Sequence, residues 1–174
     1  MQGPWRVVAL LCPLAAGCAN DFAGDSCAAA ADTDGLADSG GAIYLVRGPV
    51  SGTVSLDAAA ATIYGATADP DFGIEVAAAG DLDGDSRGDV LAAALARGQD
   101  NGIAFAFLGP ISGVGSDVDA ALGIGWDQAF GDGFIDVTAP GEVDGDGSPD
   151  IRVGASDGDV TGVGGGAAFL FSAP

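Results

Sequence analysis

The sequence contains no histidine and no lysine, and all five of its basic residues are arginines. Histidine is the usual general base at neutral pH and lysine is a common nucleophile, so catalysis has few candidate side chains here. We therefore expect a protein that is not an enzyme. The formal net charge of -20 comes almost wholly from aspartate. This charge opposes binding to nucleic acid or to anionic lipids, so neither is expected as a partner.

Cysteines and long apolar segments are also scarce. The three cysteines do not define a disulfide framework. The apolar segment 7–16 is too short to span a bilayer, but it follows Arg6 and ends in the small residues before Cys18. Residues 1–18 are therefore predicted to be an export signal. The destination would be the cell envelope, as an outer-membrane lipoprotein or in the periplasm, or the extracellular space.

The segment Leu14-Ala-Ala-Gly-Cys18 resembles the end of a bacterial lipoprotein signal, although Ala15 stands where that signal usually has leucine. In that interpretation Cys18 becomes the lipidated first residue and provides the only attachment to a membrane. Ordinary cleavage nearby is the alternative. A third interpretation is that the apolar segment forms the first strand of the folded domain.

Aspartate and glycine are abundant, and they are arranged in two similar loops whose starts are 61 residues apart. The first reads Asp81-Leu-Asp-Gly-Asp-Ser-Arg-Gly-Asp89 and the second Glu142-Val-Asp-Gly-Asp-Gly-Ser-Pro-Asp150. Carboxylates at loop positions 1, 3, 5 and 9 can converge on one point, and calcium is the hard cation that such oxygens bind. The EF-hand pattern does not fit, because position 12 is Ala92 or Val153 instead of glutamate.

Two calcium sites are therefore predicted, and the second loop departs more from the pattern because of its longer Glu142 and its Pro149. Gly84 and Gly145 would allow the backbone to curl. The ligands expected in the first loop are the side chains of Asp81, Asp83, Asp85 and Asp89, with a backbone carbonyl near Arg87; those expected in the second are the side chains of Glu142, Asp144, Asp146 and Asp150, with a carbonyl near Ser148.

The segments around the loops are short, apolar and bounded by Gly, Asp or Pro, which predicts an all-β fold without an amphipathic helix. One strand pattern occurs three times, at 41–49, 102–110 and 166–174, which indicates a repeat architecture. The predicted strands are Ala42–Val46, Ala61–Tyr64, Ile74–Ala79, Val90–Leu95, Ile103–Leu108, Ile151–Ala155 and Ala167–Phe171.

Phe72-Gly73, the first acidic loop, the small residues after it and the strand 102–110 together resemble the FG-GAP repeat of the integrin alpha-chain β-propeller and its bacterial relatives. The resemblance implies four-stranded blades, with calcium held in the loop between the first two strands. The chain would then be an incomplete β-propeller with one full and two partial blades. It divides into residues 19–71, a partial blade without a calcium loop, 72–129, a complete blade, and 130–174, a partial blade.

Three functions are consistent with this pattern. The first is a calcium-stabilised extracytoplasmic module for binding or adhesion, with a protein or glycan ligand at the cell surface. The second is a truncated or degenerate propeller fragment without independent activity, and the third is an accessory domain of a secreted hydrolase. The incomplete blades would leave open strand edges, through which the chain could associate with itself.

Overall fold

The computed structural model describes residues 8–9, 27–32, 41–65, 72–95, 102–125, 135–155 and 166–172. Within these ranges the regular structure is almost entirely β. The strands are β1 (Val8–Ala9), β2 (Cys27–Asp32), β3 (Ala42–Arg47), β4 (Ala61–Tyr64), β5 (Glu75–Gly80), β6 (Asp89–Leu95), β7 (Gly102–Phe107), β8 (Gly113–Ser116), β9 (Leu122–Gly125), β10 (Ile135–Gly141), β11 (Asp150–Ala155) and β12 (Ala167–Ser172), and two 3-10 turns lie at Leu56–Ala58 and Asp117–Asp119. The predicted all-β class is confirmed.

The strands form three small sheets, which we name the first, middle and third sheets in chain order. The middle sheet has the order β5-β6-β7-β9 and the third sheet the order β10-β11-β12, and all their neighbouring strands are antiparallel. The first sheet has the order β1-β2-β3-β4-β8. The middle sheet therefore has four described strands and the third sheet has three, and the division of the chain into one full and two partial blades remains a prediction.

Strand β8 leaves the unit to which it belongs in sequence. It pairs in parallel with β4 of the first sheet, from Ala61 opposite Gly113 to Tyr64 opposite Ser116. The amide of Gly113 also donates to the carbonyl of Ala60, at 3.1 Å. The chain then returns to the middle sheet as β9. The two sheets are therefore connected through β8, which pairs in the first sheet while β7 and β9 pair in the middle sheet.

One hydrophobic core lies between the first and middle sheets. The rings of Phe105 and Phe107 meet the ring of Phe72 edge to face, with centroid distances of 5.7 and 6.2 Å. Ile43 and Ile63 of the first sheet pack into the same core. The Phe-Gly dipeptide noted in the sequence thus supplies a fully buried ring to this core.

A second core lies between the middle and third sheets. Here the middle sheet contributes mostly small residues, among them Ala93, Ala104 and Ala106, whereas the third sheet contributes Val137 and Val153. Side chains alternate between the two faces of a strand, which explains why β7 presents aromatic residues to one neighbour and alanines to the other. The middle sheet is covered on both faces.

The seven strands predicted from sequence all occur, with ends that shift by one residue at most. Four of the described strands were not predicted, β2, β8, β9 and β10, and β1 corresponds only to the third interpretation of the apolar segment 7–16. Strand β1 lies within the predicted signal segment and pairs with Ala30 and Ala31 of β2. The rest of that segment, including Cys18, lies outside the described residues. In the described part of the chain, no helix has the length and apolar character needed to cross a membrane.

Candidate metal centre

Each acidic loop connects two antiparallel strands at the same place in its sheet. The first joins β5 to β6 and the second joins β10 to β11. In both cases the pairing register shifts just before the loop, so that Gly80 pairs with Asp89 and Gly141 pairs with Asp150. Such a bulge bends the strand end and re-aims the residues that follow it. The predicted position of the loops, between neighbouring strands, is confirmed.

In the first loop, the carboxylates of Asp81, Asp83 and Asp89 converge. Each offers an oxygen, and these three oxygens lie within 4.8 Å of one another. Backbone amides of the loop hold two of the side chains: the Ser86 amide donates to Asp81 Oδ2 at 2.8 Å, and the Asp85 amide donates to Asp83 Oδ1 at 3.1 Å. The second oxygen of Asp81 is buried, and within the described part of the chain it has no hydrogen-bond partner.

Asp89 is the deepest residue of the first loop, with 1% of its surface exposed. Its carboxylate accepts hydrogen bonds from the amide of Leu82, at 2.6 Å, and from the amide of Gly109, at 2.7 Å. Burial raises the pKa of Asp89, the two amides partly offset this rise, and the charges of Asp83 and Asp81 add to it. A cation beside these carboxylates would favour the ionised form that burial disfavours.

Asp85 and Arg87 are placed differently from the convergent group. Asp85 Oδ1 accepts from the Arg87 amide at 2.8 Å, and its Oδ2 lies 3.7 Å from Arg87 Nε. Both side chains are partly exposed, so this ion pair adds little stability. Asp85 is therefore not one of the three convergent residues. Its role as a ligand, and that of the carbonyl near Arg87, remain predictions.

In the second loop, the convergent carboxylates are those of Glu142, Asp144 and Asp146, whose oxygens also lie within 4.8 Å of one another. All three residues are exposed. The Gly145 amide donates to Glu142, and the Asp146 amide donates to Asp144 Oδ1 at 3.1 Å. Glu142 therefore belongs to the convergent group of the second loop, as Asp81 belongs to that of the first, although its side chain is longer.

Asp150 is fully buried at the end of the second loop. Its Oδ2 accepts from the Val143 amide at 2.7 Å, as Asp89 accepts from Leu82. Its Oδ1 is buried, and no residue that the structure describes donates a hydrogen bond to it. A buried oxygen without a partner costs about 1–3 kcal/mol, or more when it is ionised. Asp150 is not a member of the convergent group. The amide of Ser148 donates to Asp146 Oδ1 at 2.7 Å, and the predicted role of the carbonyl near Ser148 as a ligand remains a prediction.

The backbone of both loops curls through positive φ at matching positions. Gly84 and Gly145 have φ of 77° and 92°, as the sequence led us to expect. Two residues further on, the second loop has Gly147 at 93°, whereas the first has Ser86 at 66°. A residue with a Cβ is strained in this left-handed region, so the first loop carries a local cost that the second avoids.

The two loops lie next to each other. A Cβ added to Gly80 would be 3.5 Å from Pro149 Cγ. Gly80 immediately precedes Asp81, and Pro149 immediately precedes Asp150. The start of the first loop therefore lies close to the end of the second.

Two residues of the site were missed in the sequence. Gly109 holds Asp89 through its amide, and the Gly-Pro dipeptide that follows the strand at both 48–49 and 109–110 was the available signal. Ser172 donates its hydroxyl to Asp144 Oδ2 at 2.5 Å. Its signal was weaker, a polar residue at the end of an apolar strand where the preceding repeat has Leu108.

No protein-family model matches this sequence, and no curated protein aligns with it significantly. Inference about function therefore depends on the geometry of the two loops and on the pattern of the repeats.

Proposed function

We propose that this chain is a calcium-binding, non-catalytic repeat module of the β-propeller type that acts outside the cytoplasm in binding or adhesion. One observation carries the proposal. Two loops at the same position in neighbouring sheets each gather three carboxylates, and each holds a buried carboxylate oxygen, on Asp81 and on Asp150, that has no hydrogen-bond partner among the described residues.

The number of carboxylates favours calcium over magnesium. Calcium takes about six to eight oxygen ligands in a flexible geometry, whereas magnesium usually keeps several waters and is bound through only about one or two carboxylates. Each loop gathers three carboxylates, whose oxygens lie within 4.8 Å of one another. The oxygen-only donor set also disfavours zinc and copper, which prefer nitrogen and sulfur ligands.

The ions would be structural. Without a cation, each loop concentrates negative charge at one strand connection, and the resulting repulsion is largest where a carboxylate is buried. A bound ion would offset this repulsion and rigidify the connection between the first two strands of the sheet. The surface that recognises a ligand would then be formed by loops held on a rigid sheet framework.

The propeller architecture is supported by two features of the packing. The middle sheet has four antiparallel strands, and propeller blades are four-stranded sheets. It is covered on both faces by neighbouring sheets, through the core around Phe72 and through the core around Val137. Together with the resemblance to FG-GAP repeats, this arrangement supports successive blades. Export, with lipidation at Cys18 as one route, and a protein or glycan ligand at the cell surface complete the proposal.

Thermal unfolding of the expressed chain tests the proposal. Calcium that binds only the folded state stabilises it by RT ln(1 + [L]/Kd), which is about 2.7 kcal/mol at 100 times Kd. We expect a higher melting temperature in millimolar calcium than in chelator, and we expect Asp83→Ala to reduce that difference. Asp57→Ala, which removes an exposed carboxylate outside the loops, is the matched control. Equal melting temperatures in calcium and chelator would refute the calcium role, and a product that does not unfold cooperatively in either would favour the fragment alternative.

A further inference from the structure

We propose that Ser172 is a positioning residue of the second loop, whose hydroxyl holds Asp144 in the orientation that binds calcium. This inference rests on the proposed calcium function. It adds a residue from the last strand of the third sheet to a site that the sequence pattern confines to residues 142–150.

The contact locks the Asp144 carboxylate at both oxygens. Ser172 ends β12 and pairs with Asp150 at the start of β11. From this position its Oγ donates to Asp144 Oδ2 at 2.5 Å, while Asp144 Oδ1 accepts from the Asp146 amide at 3.1 Å. Asp144 is otherwise exposed. An exposed aspartate samples several rotamers, and two hydrogen bonds restrict it to one.

The first loop lacks this contact. Asp83 occupies the position of Asp144, and its Oδ1 accepts from the Asp85 amide in the same way. The residue that follows the aromatic pair of β7 is Leu108, in the place that Ser172 holds after Phe169 and Phe171. Leucine cannot donate a hydrogen bond.

The second loop has more need of such a residue. In the first loop the convergent group includes Asp89, a residue that is almost fully buried and is held by two backbone amides. In the second loop the convergent group consists of three exposed residues, and Asp150 lies outside it. The Ser172 hydroxyl supplies part of the preorganisation that a buried carboxylate supplies in the first loop. Hydrogen-bond partners of metal ligands typically contribute about 10–100-fold to metal affinity.

Calorimetric titration with calcium chloride tests this role in a background that isolates the second loop. Asp83→Ala disables the first loop, and Ser172→Ala is then added. We expect calcium affinity to fall by about 10-fold or more, and we expect Ser172→Thr, which retains the hydroxyl, to restore most of it. Leu108→Ala in the same background changes the equivalent residue of the other repeat and should leave the affinity unchanged.

Unfolding in calcium-free buffer distinguishes this role from a purely structural role of Ser172. The calcium-free unfolding midpoint should change little between Ser172 and Ser172→Ala, because both partners are exposed and water can replace the lost hydrogen bond. Equal calcium affinity in the two proteins would overturn the inference and leave the calcium function standing. A loss that Ser172→Thr does not restore would also overturn it. Absence of calcium binding by the unmodified chain would instead refute the proposed function itself.

Discussion

Gly109 offers the sharpest test of how the first loop is held. A Cβ added at this residue would lie 2.7 Å from the carbonyl oxygen of Gly88, 3.2 Å from Arg87 Cβ and 3.6 Å from Asp89 Oδ1. The nearest of these atoms is backbone, which cannot rotate away. Gly109→Ala should therefore push the end of β7 away from the end of the loop and break the 2.7 Å hydrogen bond from the Gly109 amide to Asp89.

The expected cost follows from these contacts. A hydrogen bond to a charged acceptor contributes about 1.5–3 kcal/mol, and forcing one extra methyl group into a packed site costs about 1–3 kcal/mol. The smaller conformational freedom of alanine in the unfolded chain returns about 0.4–1 kcal/mol. We expect Gly109→Ala to lower the free energy of unfolding by about 1.5–5.5 kcal/mol, on the sum of these effects.

Urea unfolding followed by circular dichroism measures this change. Gly123→Ala is the control, because a Cβ at Gly123 in β9 meets nothing within 4 Å, and its effect should stay within about 1 kcal/mol. Gly109→Ala should also weaken calcium binding by the first loop, since Asp89 loses one of its two amide donors. If Gly109→Ala were as stable as Gly123→Ala, the close approach of β7 to the loop would be refuted.

Two further predictions concern the first loop. Ser86→Gly should raise the free energy of unfolding by about 0.5–1 kcal/mol, because the left-handed conformation costs a residue with a Cβ about 1–2 kcal/mol and the extra chain entropy of glycine offsets only part of this; a loss of stability in urea unfolding would contradict the strain at φ 66°. In calcium-free buffer, the raised pKa of Asp89 means that the folded chain binds this proton more tightly than the unfolded chain does. The stabilisation that results is fully present below the unfolded pKa of about 3.9 and is lost as pH rises through the folded pKa. The stability of the unmodified chain relative to Asp89→Asn should therefore fall with rising pH, and a difference that grows with pH would contradict the burial effect.

The sequence predicted the strands that have their own boundary signals. Ala61–Tyr64 was predicted with its observed ends because it is apolar and is followed by Gly65. Strand β8, with the sequence Gly-Val-Gly-Ser, has no such pattern, and it is a strand because β4 offers it a pairing edge. Strand β2 is a run of alanines with helical propensity, which pairing with β3 overrides. These elements depend on tertiary contacts that local sequence does not encode.

For the candidate site, too, the sequence predicted the local pattern but not the features that depend on tertiary contacts. Repeated carboxylates at a fixed spacing identified both loops and placed them between strands. Spacing alone could not show that Asp85 turns toward Arg87 or that Asp150 lies beside its group, because these outcomes depend on side-chain rotamers. Ser172 had only a weak sequence signal, because its partner Asp144 lies 28 residues earlier in the chain.

The parallel pairing of β8 with β4 means that the repeat boundary along the chain is not a boundary in space. A fragment excised at residue 72 would contain Gly113–Ser116 but not the edge on which that segment lies. It would also lose the aliphatic half of the core around Phe72, which Ile43 and Ile63 provide. We therefore expect a segment that begins at residue 72 to fold poorly alone, and we expect recombination that shuffles such repeats to transfer neighbouring copies together.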